Sequence, residues 1–197
     1  MTRHLSTLAL ASLLTAGLST PLAGQPPATQ PPPPPPSVKV GDTAPDFTLG
    51  WFAPAGEPGK FKNEQITLSS FKGKQNVVIA FFPAAFSPGC TSEMQKYQAS
   101  SGQFTAANTV ILGVSVDSTW SNKAFREQLG VSFPILSDWK KEISRTYGLL
   151  NESNGTARRA TFVVDKQGVV QKVDVGQEAL DPSAVVGMCE KLHKGSN

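Results

Sequence analysis

The chain has 197 residues and a formal net charge of +3, from 18 Lys and Arg against 15 Asp and Glu, a balance too even to argue for a nucleic-acid partner. Two cysteines, Cys90 and Cys189, and two histidines, His4 and His193, exclude most zinc-ligand spacings, which need four nitrogen or sulfur ligands. A CxxC redox pair and a haem CxxCH are also absent, so neither a metal nor another cofactor is expected.

Arg3 and His4 precede an apolar run from Leu5 to Leu18, and small residues follow. This is the grammar of an export signal over residues 1–24, shorter than the roughly 20 apolar residues of a membrane span. Gln25 stands where a lipoprotein would carry its lipidated Cys. Residues 25–37 hold eight prolines and form a stiff extended linker. The protein is expected to be periplasmic or secreted, or tethered if the leader is retained, with the linker then holding the domain about 30 Å from the membrane. Residues 38–197 remain for one domain, large enough to bury on the order of 70% of its unfolded surface.

From Val38 onward apolar runs alternate with longer amphipathic stretches, which predicts an α/β layer fold. Residues 50–65, with Pro54, Gly56, Pro58 and Gly59, read as an extended loop within an N-terminal hairpin. Asn76 to Phe82 is a continuous β-branched and aromatic run, the pattern of a central strand buried on both faces. Met94, Tyr97, Ser101 and Phe104 follow at helical spacing, Thr109 to Val116 forms a second buried strand, and Trp120, Ala124, Phe125 and Leu129 mark another helix core face. Asp117, after that second strand, suits a helix cap better than a catalytic carboxylate. Trp51, Trp120 and Trp139 read as packing or loop anchors. Ser137 or Asp138 caps a helix through Tyr147 that stops at Gly148. The sequons at Asn151 and Asn154 fall in a loop and matter only in a host that glycosylates. Arg159 to Val164 and Val169 to Val175 form a hairpin, and Asp181-Pro182 opens a last helix to about His193.

The chemistry gathers between Pro83 and Glu93, where the central strand ends and a long helix begins, the edge at which α/β sheets place ligands. Cys90 falls in the first helical turn, where unpaired backbone N–H groups and the helix dipole stabilise a thiolate, the nucleophilic form. Ser87 supplies a hydroxyl one turn earlier, Pro83 and Pro88 restrict the backbone, and Gly89 permits close approach to the main chain. Taken singly, a buried Cys is a small hydrophobe, a Ser near a helix start is a cap, and Pro and Gly turn the chain. Their joint spacing is what points to a nucleophilic site.

That spacing, Pro83-xxx-Ser87-xx-Cys90, resembles the active-site signature of the peroxiredoxins of the alkyl hydroperoxide reductase and thiol-specific antioxidant type, with Ser87 where many members have Thr. Gly41 to Leu49 resembles the family's opening strand, Phe133 to Asp138 its later strand and loop, and Arg159 to Asp165 the strand that brings an Arg to the thiolate. The Pro88-Gly89-Cys90 form is most like the bacterioferritin-comigratory and one-cysteine-like branches. The resemblance implies a thioredoxin-like fold with a central mixed sheet flanked by helices. It further implies a thiol peroxidase reducing hydrogen peroxide and organic hydroperoxides, with Cys90 as peroxidatic cysteine, Pro83 as its shield, Ser87 holding the peroxide and Arg159 stabilising thiolate and transition state. Glu93, one turn after Cys90, is placed to orient Arg159. Arg158 faces the other way, since adjacent strand residues point to opposite sides, and has a surface role.

The resulting sulfenic acid must be reduced before it is oxidised further. Where the bacterioferritin-comigratory type often has a second Cys, this chain has Gln95. Cys189 lies on an apolar helix face with Val185 and Leu192, which favours an inert thiol over a resolving one. The expected partner is therefore an external low-molecular-weight thiol or thioredoxin-like donor; oligomeric state is open, with a homodimer as the candidate assembly. The competing reading is an exported thioredoxin-fold interaction or chaperone-like module without peroxidase turnover. A drifting scaffold has no chemical need for Pro83, Ser87, Cys90 and Arg159 together, which favours the enzyme.

Overall fold

The computed structural model describes residues 34–57 and 59–195; the leader and most of the linker lie outside them. Strands β1 (Thr48–Pro54) and β2 (Phe61–Thr67) form an antiparallel hairpin, and a 3-10 turn at Leu68–Phe71 leads to β3 (Asn76–Phe81). Then come α1 (Pro88–Ala99), α2 (Ser101–Ala106), β4 (Thr109–Ser115), α3 (Thr119–Leu129), β5 (Ile135–Ser137) and α4 (Glu142–Thr146). The short pair β6 (Leu150–Asn151) and β7 (Thr156–Ala157) precedes β8 (Ala160–Val164), β9 (Val170–Val175) and α5 (Ser183–Lys194).

Seven of these strands make one mixed sheet in the order β2-β1-β5-β4-β3-β8-β9, with β3, β4 and β5 parallel to one another and β8 antiparallel to β3. Every residue of β3 is buried, as its unbroken apolar sequence requires of a strand covered on both faces. The period of two splits those residues. Val77, Ile79 and Phe81 pack with Leu112, Val114, Phe162 and Tyr147 on one face; Val78, Ala80 and Phe82 pack with residues of α1, α2, α3 and α5 on the other. A mixed sheet with helices on its face is the thioredoxin-like architecture. At the N-terminal end Pro36 is buried and the Ser37 amide donates to the Tyr147 carbonyl at 3.1 Å, so the last linker residues lie against the domain.

Several elements differ from the sequence expectation for physical reasons. The expected loop over 50–65 is instead the β1/β2 hairpin, with only residues 55–60 connecting; the Pro and Gly residues crowd its tip, and an edge strand as polar as β2 carries little apolar signal. The Gly41 to Leu49 segment is strand only from Thr48, preceded by a single bridge from Thr43 to Val169. The helix through Met94 and Phe104 breaks at Ser100 into α1 and α2. Trp120 is 67% exposed rather than in the core, its ring 4.3 Å from that of Phe52. The helix expected from Ser137 or Asp138 to Tyr147 begins only at Glu142, yet Asp138 still caps it: its carboxylate accepts the Ile143 and Ser144 amides at 3.2 and 2.7 Å.

Candidate active site

The parallel pairing of β3 with β4 continues one bond past the strand, the Phe82 amide donating to the Val114 carbonyl at 3.0 Å. There Pro83 turns the chain out of the sheet, and Pro88 starts α1 at a position where a missing N–H costs nothing. Ser87 is the N-cap residue, its carbonyl accepting the Thr91 amide at 2.9 Å. Its hydroxyl makes no capping bond. Cys90 sits in the first turn of α1, 1% exposed, among the unpaired amides of the helix start.

Arg159 completes the site from the strand side. Residues Ala160, Phe162 and Val164 of β8 point to the far face of the sheet, while Val163 packs among the α1 residues; alternation therefore turns Arg159 and Thr161 toward α1. Nη2 of Arg159 donates to Cys90 Sγ at 3.3 Å, and Nη1 forms an ion pair with the carboxylate of Glu93. Glu93 is fully buried and the Arg159 side chain only 14% exposed, so the pair lies away from water, where charge interactions are strongest. Gly89 has a specific role here: a Cβ at that position would stand 3.3 Å from Arg159 Nη2. The close approach that glycine permits is thus that of the guanidinium itself.

A second bond ties the same helix to the same strand. The Tyr97 and Thr161 hydroxyls, both buried, share a hydrogen bond of 3.0 Å, and burial pushes the Tyr97 phenol well above its ordinary value. Glu93 and Tyr97 are four apart on the helix, Arg159 and Thr161 two apart along the strand direction. Those spacings, about 6 Å and about 7 Å, match, so the two links hold α1 in register beside Arg159.

The Pro83 to Ser87 loop is braced from β4 and α3. Asp117, just beyond β4, accepts the Ala85 amide at 2.8 Å through Oδ2. The helix cap expected of Asp117 is supplied instead by Ser118, whose hydroxyl accepts the Ser121 amide at 3.1 Å. Phe86 adopts φ 66°, unusual for a residue with a side chain, and its ring lies edge-on to Phe125 at 5.2 Å. Arg158, expected at the surface, is half-buried and donates to the Gly148 carbonyl, fastening the end of α4 to the start of β8.

Cys189 is elsewhere. It is fully buried on α5 beside Val185, in the same apolar cluster as Cys90, and burial pushes its thiol up to about 11, with the neighbouring Thr109 hydroxyl offsetting part of the shift. Thr109 pairs with Asn76 at the amino end of β3, whereas the Cys90 loop leaves beyond Phe81, which pairs with Val114. Those two pairs lie five residues apart, about 17 Å at the strand rise of about 3.3 Å; a disulfide needs Cα atoms within about 7 Å. Gln95 is exposed. Among the described residues no group of three or more His, Cys, Asp or Glu could hold a metal ion.

Comparison with known proteins agrees with this geometry. The AhpC/TSA family model matches residues 40–173. The chain is 35% identical over 143 residues to alkyl hydroperoxide reductase E of Mycobacterium tuberculosis, covering 71% of this chain and 87% of that protein. It is 39% identical over 142 residues to a chloroplastic 2-cysteine peroxiredoxin of Chattonella marina var. antiqua, covering 68% and 69%. Among solved structures, thioredoxin peroxidase I of Plasmodium yoelii superposes with a TM-score of 0.68 at 27% identity, over 80% of this chain and 92% of that one. Peroxidoxin BcpB of Mycobacterium tuberculosis superposes with 0.67 at 26% identity, over 81% and 99%. With a thioredoxin-like sheet, a buried cysteine opening the helix after its central strand and an arginine on its sulfur, the chain belongs to the AhpC/TSA family of peroxiredoxins and is a thiol-dependent peroxidase.

Proposed function

We propose that Cys90 is the peroxidatic nucleophile of a one-cysteine mechanism acting on hydrogen peroxide and organic hydroperoxides. The observation that carries this reading is the 3.3 Å contact from Arg159 Nη2 to Cys90 Sγ, with the guanidinium anchored by buried Glu93. The Cys90 thiolate attacks one peroxide oxygen; the S–O bond forms as the O–O bond breaks, and the electron pair leaves on the second oxygen, which takes a proton and departs as water or an alcohol. Charge develops on that oxygen, so donors fixed beforehand lower the barrier most. Arg159, the Cys90 amide and the Ser87 hydroxyl are those donors, and Pro83 keeps water from the sulfur. Glu93 acts through Arg159 as a positioning residue.

The sulfenic acid on Cys90 is then attacked by an external thiol, releasing water and leaving a mixed disulfide that a second thiol resolves. The burial and apolar setting of Cys189 support an external donor over an internal one. Export through the leader over residues 1–24 would place the enzyme apart from cytosolic reductants, so the donor is a small thiol or thioredoxin-like protein of that compartment. The test is peroxide consumption by the full-length chain with a small dithiol as reductant. The Cys90→Ser variant is expected to fall to background and Cys189→Ser to retain turnover. Full activity in Cys90→Ser would remove the nucleophile, and loss of turnover in Cys189→Ser would overturn the one-cysteine mechanism.

A further inference from the structure

We infer that Asp117 is a positioning residue for the peroxide-binding loop, acting through the main chain at Ala85; this rests on the reading of Cys90 as nucleophile. The loop from Pro83 to Ser87 carries both groups proposed to shield and hold the peroxide, and Ala85 is its midpoint. Only its ends are fixed by regular structure, the first by the Phe82 bond to β4 and the second by the start of α1. Between them the backbone passes through the left-handed conformation of Phe86, which a residue with a side chain holds only when its surroundings impose it. Two contacts impose it: the Asp117 carboxylate on the Ala85 amide and the Phe86 ring on Phe125.

Asp117 is itself held by two bonds of its own main chain. Its amide donates to the Ser115 hydroxyl at 3.2 Å, and its carbonyl accepts the Ser137 hydroxyl at 2.6 Å. The Ser115 hydroxyl in turn donates to Asn122 Oδ1 at 2.9 Å, and Asn122 Nδ2 donates to the Leu136 carbonyl at 3.0 Å. Ser115 and Asn122 are buried, so β4, α3 and β5 form one rigid mount with the Asp117 carboxylate as its projecting arm. The carboxylate bonds a main-chain amide of the loop, not Cys90. Its use is geometric: it sets where Ser87 and Pro83 stand relative to Cys90 Sγ, and a displacement of about 1 Å there costs about a hundredfold in rate.

Two reactions of Cys90 separate positioning from simple stability. Peroxide reduction needs the loop, whereas alkylation by a small haloacetamide needs only an accessible thiolate. In the full-length chain, Asp117→Ala is expected to lower the second-order rate with hydrogen peroxide by about ten- to a hundredfold while leaving the alkylation rate unchanged. Asp117→Asn keeps an acceptor oxygen and is expected to restore most of the peroxide rate. An unchanged peroxide rate in Asp117→Ala, a parallel fall of both reactions, or failure of Asn to rescue would each overturn the inference. Loss of the peroxide reaction in Cys90→Ser is the separate condition on which the underlying reading stands, so the two failures are distinguishable.

Discussion

Cys90 and Cys189 share one apolar cluster and are both withdrawn from water, yet they meet opposite chemical settings. At the carboxyl end of β3 the Cys90 sulfur meets a helix start, a guanidinium at 3.3 Å and a loop carrying the Ser87 hydroxyl. On α5 the Cys189 sulfur lies among apolar side chains such as Val185, and burial pushes it up to about 11. Burial alone therefore does not decide what a cysteine does; the charge and dipoles aimed at it do.

The sharpest way to break this comparison is to remove Arg159. Arg159→Met takes away the donor on Cys90 Sγ and leaves Glu93 buried without its partner. The rate with peroxide is expected to fall by about 10² to 10³, as for loss of one transition-state donor, and stability in urea to drop by ~3–5 kcal/mol. Adding Glu93→Gln should recover stability and not rate. Recovery of both would mean that Arg159 serves only to neutralise Glu93. A smaller effect is expected one helical turn on. Tyr97→Phe strands the buried Thr161 hydroxyl and should cost ~1–2 kcal/mol, partly regained by adding Thr161→Val, with the peroxide rate unchanged. A large rate loss there would show that the second link sets the sulfur's geometry as well as the helix's stability. The mildest probe is differential alkylation, in which Cys189 is expected to label only as pH approaches about 11. Equal labelling at neutral pH would erase the distinction between the two cysteines.

Much of this was legible from the residues alone. The run from Asn76 to Phe82 reads as a strand covered on both faces; strand alternation says that only one of Arg158 and Arg159 can face the site, and the resemblance of the segment from Arg159 to Asp165 says which. The grouping around Cys90 was legible because Pro83, Ser87, Pro88 and Cys90 are local and mark a junction of strand and helix, and its reading as a peroxide site came from the resemblance to the peroxiredoxin signature. Tyr97 and Thr161 were not, because each looks like an ordinary core position on its own element and their hydroxyls meet only when β8 is laid against α1. Asp117 was obscured by Ser118, an equally good cap one residue later. Its position immediately after a buried strand, at the sheet edge that holds the site, was the signal available. Trp120 misled because it has the right helical phase for the core, yet it packs on Phe52 at the rim.

The central claim, that the two cysteines differ in kind, is tested most directly by peptide mass spectrometry. The reduced full-length protein would receive one equivalent of hydrogen peroxide in the presence of a sulfenic-acid trap. Rapid adduct formation is expected on Cys90 alone, with Cys189 unmodified and no disulfide between them. An unreactive Cys90, or a Cys90 to Cys189 disulfide formed at the rate of peroxide addition, would contradict it.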